Sequence, residues 1–391
     1  MRTALLALVC LSLIFATASA QGIVVPGDAD GDMIVSDEEL ELAEQSYSEG
    51  KITSDELEEI KHIHEKYPIT VTNSYGDTVT IYKPVNGIIS TPSWSIEMLF
   101  ILDALDKVVG VTSTQQEVFG WIPGMDSKST VGAWNSIDYE KIIELNPDIV
   151  NTAFDQKDAM EHAGITFLRL STRNWTTFET DLRCLGKVLE KEERAEEFLR
   201  WNGDYKSQLA EIVDNIPSEN RLRVYGESNH HNLFAAAPNS GLHHAITSAG
   251  GINIGKDLGF ESSFLDVDPE WILTEDPDAV IIAATMSEWA PGPALDYYPS
   301  DTTESLNQYL ELTRNRPGIM NTDAANNGRI YLLHGYCSEG APRGVIAAYY
   351  IAKWLYPEYL QDIDPNEIHE EYFEKWLGAP YQGIWAYPQE S

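Results

Sequence analysis

"DYEKIIELNPDIV", Asp138 to Val150, and "DPEWILTEDPDAV", Asp268 to Val280, decide the fold, because the second repeats the frame of the first. Each runs Asp, any residue, Glu, any residue, Ile, then Pro and Asp at matching offsets, and closes on Val. Asp138 and Asp268 suit helix N-caps, and Pro269 suits the first helical position, where its missing N–H costs nothing. Glu140 and Glu270 then fall in the first turn, which the helix dipole favours by about 0.3–1 kcal/mol without any further role. Pro147 and Pro277 end each helix, and "DIV" or "DAVII" enters a strand. The same helix-to-strand unit written twice predicts two equivalent lobes, each with one outward-facing glutamate.

The surrounding chain fits that reading. From Asn86 onward short apolar strands ("GIIS", "KVVGVT", "DIVNTAF", "ITFLRL") alternate with helical patterns, which implies a parallel sheet covered on both faces. From Thr176 to Ile216 the pattern is almost continuously helical and stops at Pro217. Alternation then resumes at "RLRVYGE", "AVIIAAT" and "RIYLLHG". The expected fold class is therefore α/β: two Rossmann-like lobes joined by a single long helix, with a small N-terminal calcium-loop module in front. The expected boundaries are a leader over 1–20, the module over 26–67, an N-terminal lobe over 68–190, the linking helix over 191–216 and a C-terminal lobe over 217–391. "ITVTNSYGDTVTIYKP", with its Gly-Asp turn, reads as a hairpin opening the first lobe.

A chain of 391 residues with 43% apolar content exceeds one comfortable core and can bury two. A formal charge of −36 argues against nucleic acid and against anionic membrane surfaces as partners. "MRTALLALVCLSLIFATASA" has Arg2, an apolar run and a small-residue ending, which reads as a secretory signal and places the mature protein outside the cytoplasm. Cys184 and Cys337 remain after it, either as a disulfide or as unpaired core residues.

"VGAWNSIDYEKIIELNPDIV" and "FLDVDPEWILTEDPDAVII" resemble the paired signature of periplasmic substrate-binding proteins that serve ABC importers of iron–siderophore, haem or cobalamin. The resemblance runs from Ile69 to the C-terminus and takes in "AITSAGGINI", "RPGIMNTDAANNGRIYLL" and "AAYYIAKWLYPEYLQDIDPNEIHEEYF". It implies two lobes on one helical backbone that close little around the ligand, and a monomer that binds without catalysing. It also implies that Glu140 and Glu270 meet arginines of the importer permease. Two carboxylates on separate lobes form a two-point ruler that sets orientation as well as attraction.

In parallel α/β lobes the ligand lies at the carboxyl ends of the strands. Trp94, Trp134, Trp175, Trp289 and Tyr336 fall on loops just past those ends, where large rings stack well on a flat or bulky chelate. Each can equally plug its own lobe. In the corrinoid-binding branch that the chain resembles, a tryptophan occupies the place of Trp134. Arg173 and Arg343 suit an anionic siderophore or a haem propionate, and Arg343 can equally pair at its own helix start. His230 or Tyr336 could serve a haem iron. The pairs His230–His231 and His243–His244 cannot chelate alone, because adjacent side chains point apart.

"DADGDMIVSDEE" sets Asp28, Asp30, Asp32, Ser36 and Glu39 at the oxygen-ligand positions of a calcium loop, with the Ile34 carbonyl between them. It resembles an EF-hand or dockerin loop, except that Met33 replaces the usual glycine. A second copy, Gln45 to Glu56, keeps Gly50, Ile52 and Glu56 but lacks the acidic start. Two alternatives to a binding protein stay open: a secreted metal-dependent enzyme using the cleft histidines and carboxylates, and a dockerin-bearing cell-surface assembly protein. No nucleophile elbow, phosphate loop or HExxH-type zinc motif supports the first of these.

Overall fold

The computed structural model describes residues 23–92, 95–152, 160, 165–170, 175–259, 262–284 and 303–389. In the first lobe β3 (Ile88–Ser90) is central, flanked by β4 (Val108–Val111) and β5 (Ser129–Thr130) on one side and by β8 (Ile149–Asn151) and β9 (Thr166–Leu168) on the other. All these pairings are parallel. In the second lobe β10 (Arg223–Ser228), β14 (Ala279–Ala284) and β15 (Ile330–His334) run parallel, with β12 (Ile252–Asn253) parallel to β10. Every residue of β3 and β14 is buried, as expected of strands covered on both faces. The second sheet departs from the all-parallel expectation at its edges. β11 (Phe234–Ala236), β13 (Phe264–Asp266) and β16 (Ala386–Tyr387) are antiparallel additions.

The helical stretch from 176 to 216 divides into two helices, the second of which is the linking helix. α6 (Phe178–Val188) ends at a turn, and α7 (Glu192–Asp214) carries the chain to the second lobe. At about 1.5 Å per residue α7 is roughly 34 Å long. The break is held by Glu190, a non-glycine residue at φ +56, a conformation that costs on the order of 1 kcal/mol. Its carboxylate is gripped from far along the chain: His62 Nε2 lies 2.6 Å away and the Tyr67 hydroxyl donates at 2.9 Å. Both partners belong to the end of the N-terminal module, whose helices are α1 (Asp37–Ser48) and α2 (Ser54–Lys66). The module is thus seated on the first lobe, and its Ile60, Ile63 and Tyr67 belong to the main core. Cys184 and Cys337 are both buried and unbonded, which settles their pairing, and burial pushes each thiol up to about 12.

The same core passes between the lobes. α3 (Ser95–Ile101) of the first lobe buries Glu97, and Arg343, at the head of α11 (Gly344–Leu355), reaches it with Nε 2.8 Å from Oε1. The hydroxyl of Tyr372, on α12 (Pro365–Tyr372), donates to the same oxygen. Rings close around the pair: Trp121 stacks on Phe373 at 5.0 Å, and Phe119 lies 6.1 Å from Tyr336. Arg343 also faces the Trp385 ring at 5.6 Å. Removing one partner of such a pair strands a buried charge. Arg343→Met is expected to cost about 3–5 kcal/mol in denaturant unfolding, and Glu97→Met with Arg343→Met to recover much of it. A single-variant cost below about 1 kcal/mol would show that the pair holds little.

Candidate functional site

The two repeat segments are superimposable in environment. From Ser136 to Val150 and from Asp266 to Val280 the burial class is the same at every position. α5 (Tyr139–Leu145) and α9 (Pro269–Glu275) each end on a left-handed residue, Asn146 at φ 45 and Asp276 at φ 42. Ile142 and Ile272 are buried in their lobes. The second aspartate of each frame then clasps the start of its lobe's central strand. Asp148 Oδ2 accepts from the Asn86 and Gly87 amides at 2.8 and 2.9 Å, and Asp278 Oδ2 accepts from the Arg223 amide at 2.7 Å. The N-caps differ: the Asp138 side chain accepts from the Lys141 amide, whereas Asp268 makes no such bond. Glu140 and Glu270 are both exposed in the first turn.

A buried ion pair that sequence reading did not identify supports the second rim. Glu227 lies inside β10 with Arg316 Nη1 2.7 Å away and the Tyr225 hydroxyl donating at 2.9 Å. Burial raises the Glu227 carboxyl, and Arg316 opposes that shift. Arg316 opens the turn that presses Gly318 onto Pro269, where an added Cβ would lie 2.9 Å from the proline Cα. Arg316 thus links the β10 carboxylate to the turn that packs on Pro269.

The carboxyl ends of the parallel strands carry Ser90, Asn151, Ser228 and His334. Their side chains are buried, and the Asn151 side-chain oxygen has no hydrogen-bond partner. Trp134 stands at the tip of a tight hairpin, β6 (Gly132–Ala133) with β7 (Ser136–Ile137), and is 44% exposed. The hairpin needs Gly132: its φ is +89, and a Cβ there would meet the Ser136 carbonyl at 2.2 Å. Tyr336 is half-buried against Phe119 and His334. Trp175 stacks on His244 of the other lobe at 5.8 Å and abuts Gly344, so it is a contact between lobes. Arg343, expected at the cleft, is instead 1% exposed and paired with Glu97. Trp94, Arg173 and Trp289 lie outside the described residues.

The histidine pairs do not converge. His231 lies 3.0 Å from Asp266, and His243 accepts from Asn253 at 3.0 Å. Among the described residues the one set of three acidic or soft ligands close enough to share an ion is Asp28, Asp30 and Asp32, with ligand atoms within 4.8 Å of one another. Met33, where such loops usually have glycine, takes φ +70. Ser36 is the N-cap of α1 and forms a capping box with Glu39. Glu39 also accepts from the Ala29 amide at 2.6 Å and the Asp30 amide at 3.2 Å, so its carboxylate ties the loop to the helix. The second loop has the same build, with Gly50 at φ +70 and a Thr53–Glu56 capping box, but Lys51 faces Glu49 within it at 2.5 Å.

Two α/β lobes joined by the long helix α7 define the architecture. The periplasmic binding protein family matches residues 88–336, more than half of the chain, and the chain belongs to that family. MolA, the molybdate-binding protein of Haemophilus influenzae, is 21% identical over 347 residues, covering 80% of this chain and 92% of that protein. A cobalamin-binding protein of Halobacterium salinarum is 24% identical over 227 residues, 55% of this chain and 58% of the relative. Among solved structures, the TroA-like periplasmic binding protein FepB from Veillonella parvula shares the fold with a TM-score of 0.67 and 24% identity, over 82% of this chain and 99% of that one. Among the described residues no helix is long and apolar enough to cross a membrane.

Hydrogen bonds from the Ser36 and Ala29 amides hold the Glu39 carboxyl down from 4.5 to about 2. A depressed carboxyl contributes stability above its unfolded pKa and loses it as the pH falls through the folded value. The melting temperature of the unaltered protein is expected to fall between about pH 4.5 and 2 by more than that of Glu39→Gln. Parallel curves for the two proteins would remove Glu39 from the loop's stability.

Proposed function

We propose that the protein is the extracytoplasmic substrate-binding component of an ABC importer, a binder with no catalytic step, which captures a metal chelate and delivers it to a permease. The observation that carries this reading is the identical setting of Glu140 and Glu270, exposed in the first turn of equivalent helices on two lobes. Paired carboxylates at two fixed points suit a basic partner and fix its orientation. The leader at 1–20 supports export, and the charge of −36 supports a partner other than nucleic acid.

The character of the cleft supports an iron–siderophore complex, haem or a corrinoid as ligand. The described strand ends offer hydroxyls, an amide and rings, while Arg343 and Arg316 are committed to Glu97 and Glu227. Arg173, on the loop beyond β9, lies outside the described residues, so the case for a large chelate rests on the exposed ring of Trp134. Trp134 offers an exposed ring suited to stacking on a large planar ligand. The N-terminal loop is read as a calcium site built on Asp28, Asp30 and Asp32, with the Ile34 carbonyl completing the set. Ser36 and Glu39 would act in it only after leaving their capping box.

An absorbance spectrum and native mass spectrum of the purified protein identify the cargo: a haem or corrinoid band is expected, and bound molybdate would contradict the chelate. Trp134→Ala is expected to weaken binding of cyanocobalamin or haemin about tenfold, as loss of a stacking ring does. Trp201→Ala, buried on α7, is expected to lower stability instead; equal effects on affinity would remove Trp134 from the site. Calcium is expected to raise the melting temperature of the unaltered protein but not of Asp28→Asn with Asp30→Asn. An equal response of both would exclude the site.

A further inference from the structure

Most repeated positions in the two frames have an internal role. Ile142 and Ile272 fill cores, Asn146 and Asp276 make the left-handed turn, and Asp148 and Asp278 clasp the central strands. Pro147 and Pro277 stop the helices and are buried. Two repeated pairs have no such role. One is Glu140 and Glu270. The other is Ile143 and Leu273, aliphatic side chains left 51% and 38% exposed. Each lies three residues after its glutamate, so carboxylate and aliphatic group share one helix face. The other exposed position on the turn has diverged to Glu144 in one lobe and Thr274 in the other, both hydrophilic.

A single exposed leucine on a protein surface needs no explanation. The same exposure at equivalent places, each beside an exposed carboxylate, is different, because packing demands neither side chain. We infer that Ile143 and Leu273 are the apolar anchors of the docking surface, one on each lobe, and that the partner is a two-fold symmetric permease face. That face would present, twice over, a basic group beside an apolar socket. This rests on the importer reading of Glu140 and Glu270 and extends it. The division of labour is the usual one at interfaces: exposed charges steer and orient, while well-packed apolar anchors hold the complex together. Two equivalent anchors on two lobes match a partner whose own surface is repeated by a two-fold axis.

The test uses right-side-out membrane vesicles from the cells that make the protein and measures saturable binding of the full chain. Ile143→Ser with Leu273→Ser is compared with Glu140→Lys with Glu270→Lys. Both pairs are exposed, so melting temperature should be unchanged, and this is checked directly. The serine pair is expected to raise the half-saturating concentration about ten- to a hundredfold. Added salt should weaken the unaltered protein and the serine pair by the same factor, since the carboxylates remain. Unchanged binding of the serine pair, with binding lost on charge reversal, would overturn the anchors and leave the importer reading standing. No saturable binding by the unaltered protein, or no effect of either pair, would bring down the importer reading and the anchors with it.

Discussion

The contact between Glu97 and Arg343 is the constraint on which the rest of the molecule depends. It joins the first helix of one lobe to the last long helix of the other in a place with almost no solvent. A buried ion pair of this kind is weak as a source of net stability, because desolvation offsets most of the attraction. It is strong as a specification: any relative movement of the lobes that separates the partners leaves two uncompensated charges in a low-dielectric interior. The Tyr372 hydroxyl and the rings of Trp121, Phe373 and Trp385 leave little space for water to replace either partner. The buried neutral histidines alongside, His334 and His369, have pKa values pushed well down, by burial first and then by Arg343.

A seam of this kind changes what the lobes can do. Binding proteins that close on a hinge need a thin, polar junction. Here the junction is continuous with the main core, and α7 adds a rigid strut between the sheets. Such a seam is expected to hold α5 and α9 at a nearly fixed distance, and with them the two exposed carboxylates. Under the proposed importer role, rigidity of that kind would lower the ordering cost of docking. The Arg316–Glu227 pair and the Asp148 bonds to the Asn86 and Gly87 amides tie each lobe's sheet to neighbouring segments.

Much of this was legible in the sequence because it rests on local chemistry. Helix stops at Pro147 and Pro277, wholly apolar strands such as "AVIIAA" and the recurrence of the Asp-x-Glu frame depend on neighbours within a few residues. What was not legible depends on partners far along the chain. Arg343 can be read as a cleft cation or as a partner at its own helix start, and its actual partner, Glu97, lies on the other lobe. The start of the linking helix near 191 is legible, but not the left-handed turn at Glu190 before it, which is held by His62 and Tyr67 from far along the chain. The antiparallel edges β11, β13 and β16 were missed because strands this short carry almost no periodicity. Trp134 is picked out by resemblance to a tryptophan of the corrinoid-binding branch, whereas the packing of Trp175 on His244 and Gly344 of the other lobe depends on residues far along the chain.

The central claim is that the seam holds the two rims at one separation, and pulsed electron paramagnetic resonance measures this directly. Spin labels at Glu144→Cys and Thr274→Cys occupy equivalent exposed positions on the two rims, and the native cysteines are too buried to take label. With the seam intact, a single narrow distance distribution is expected, moving by less than about 3 Å when cobalamin or haemin is added. Arg343→Met should broaden it. A broad or two-peaked distribution in the protein with its seam intact would contradict the account.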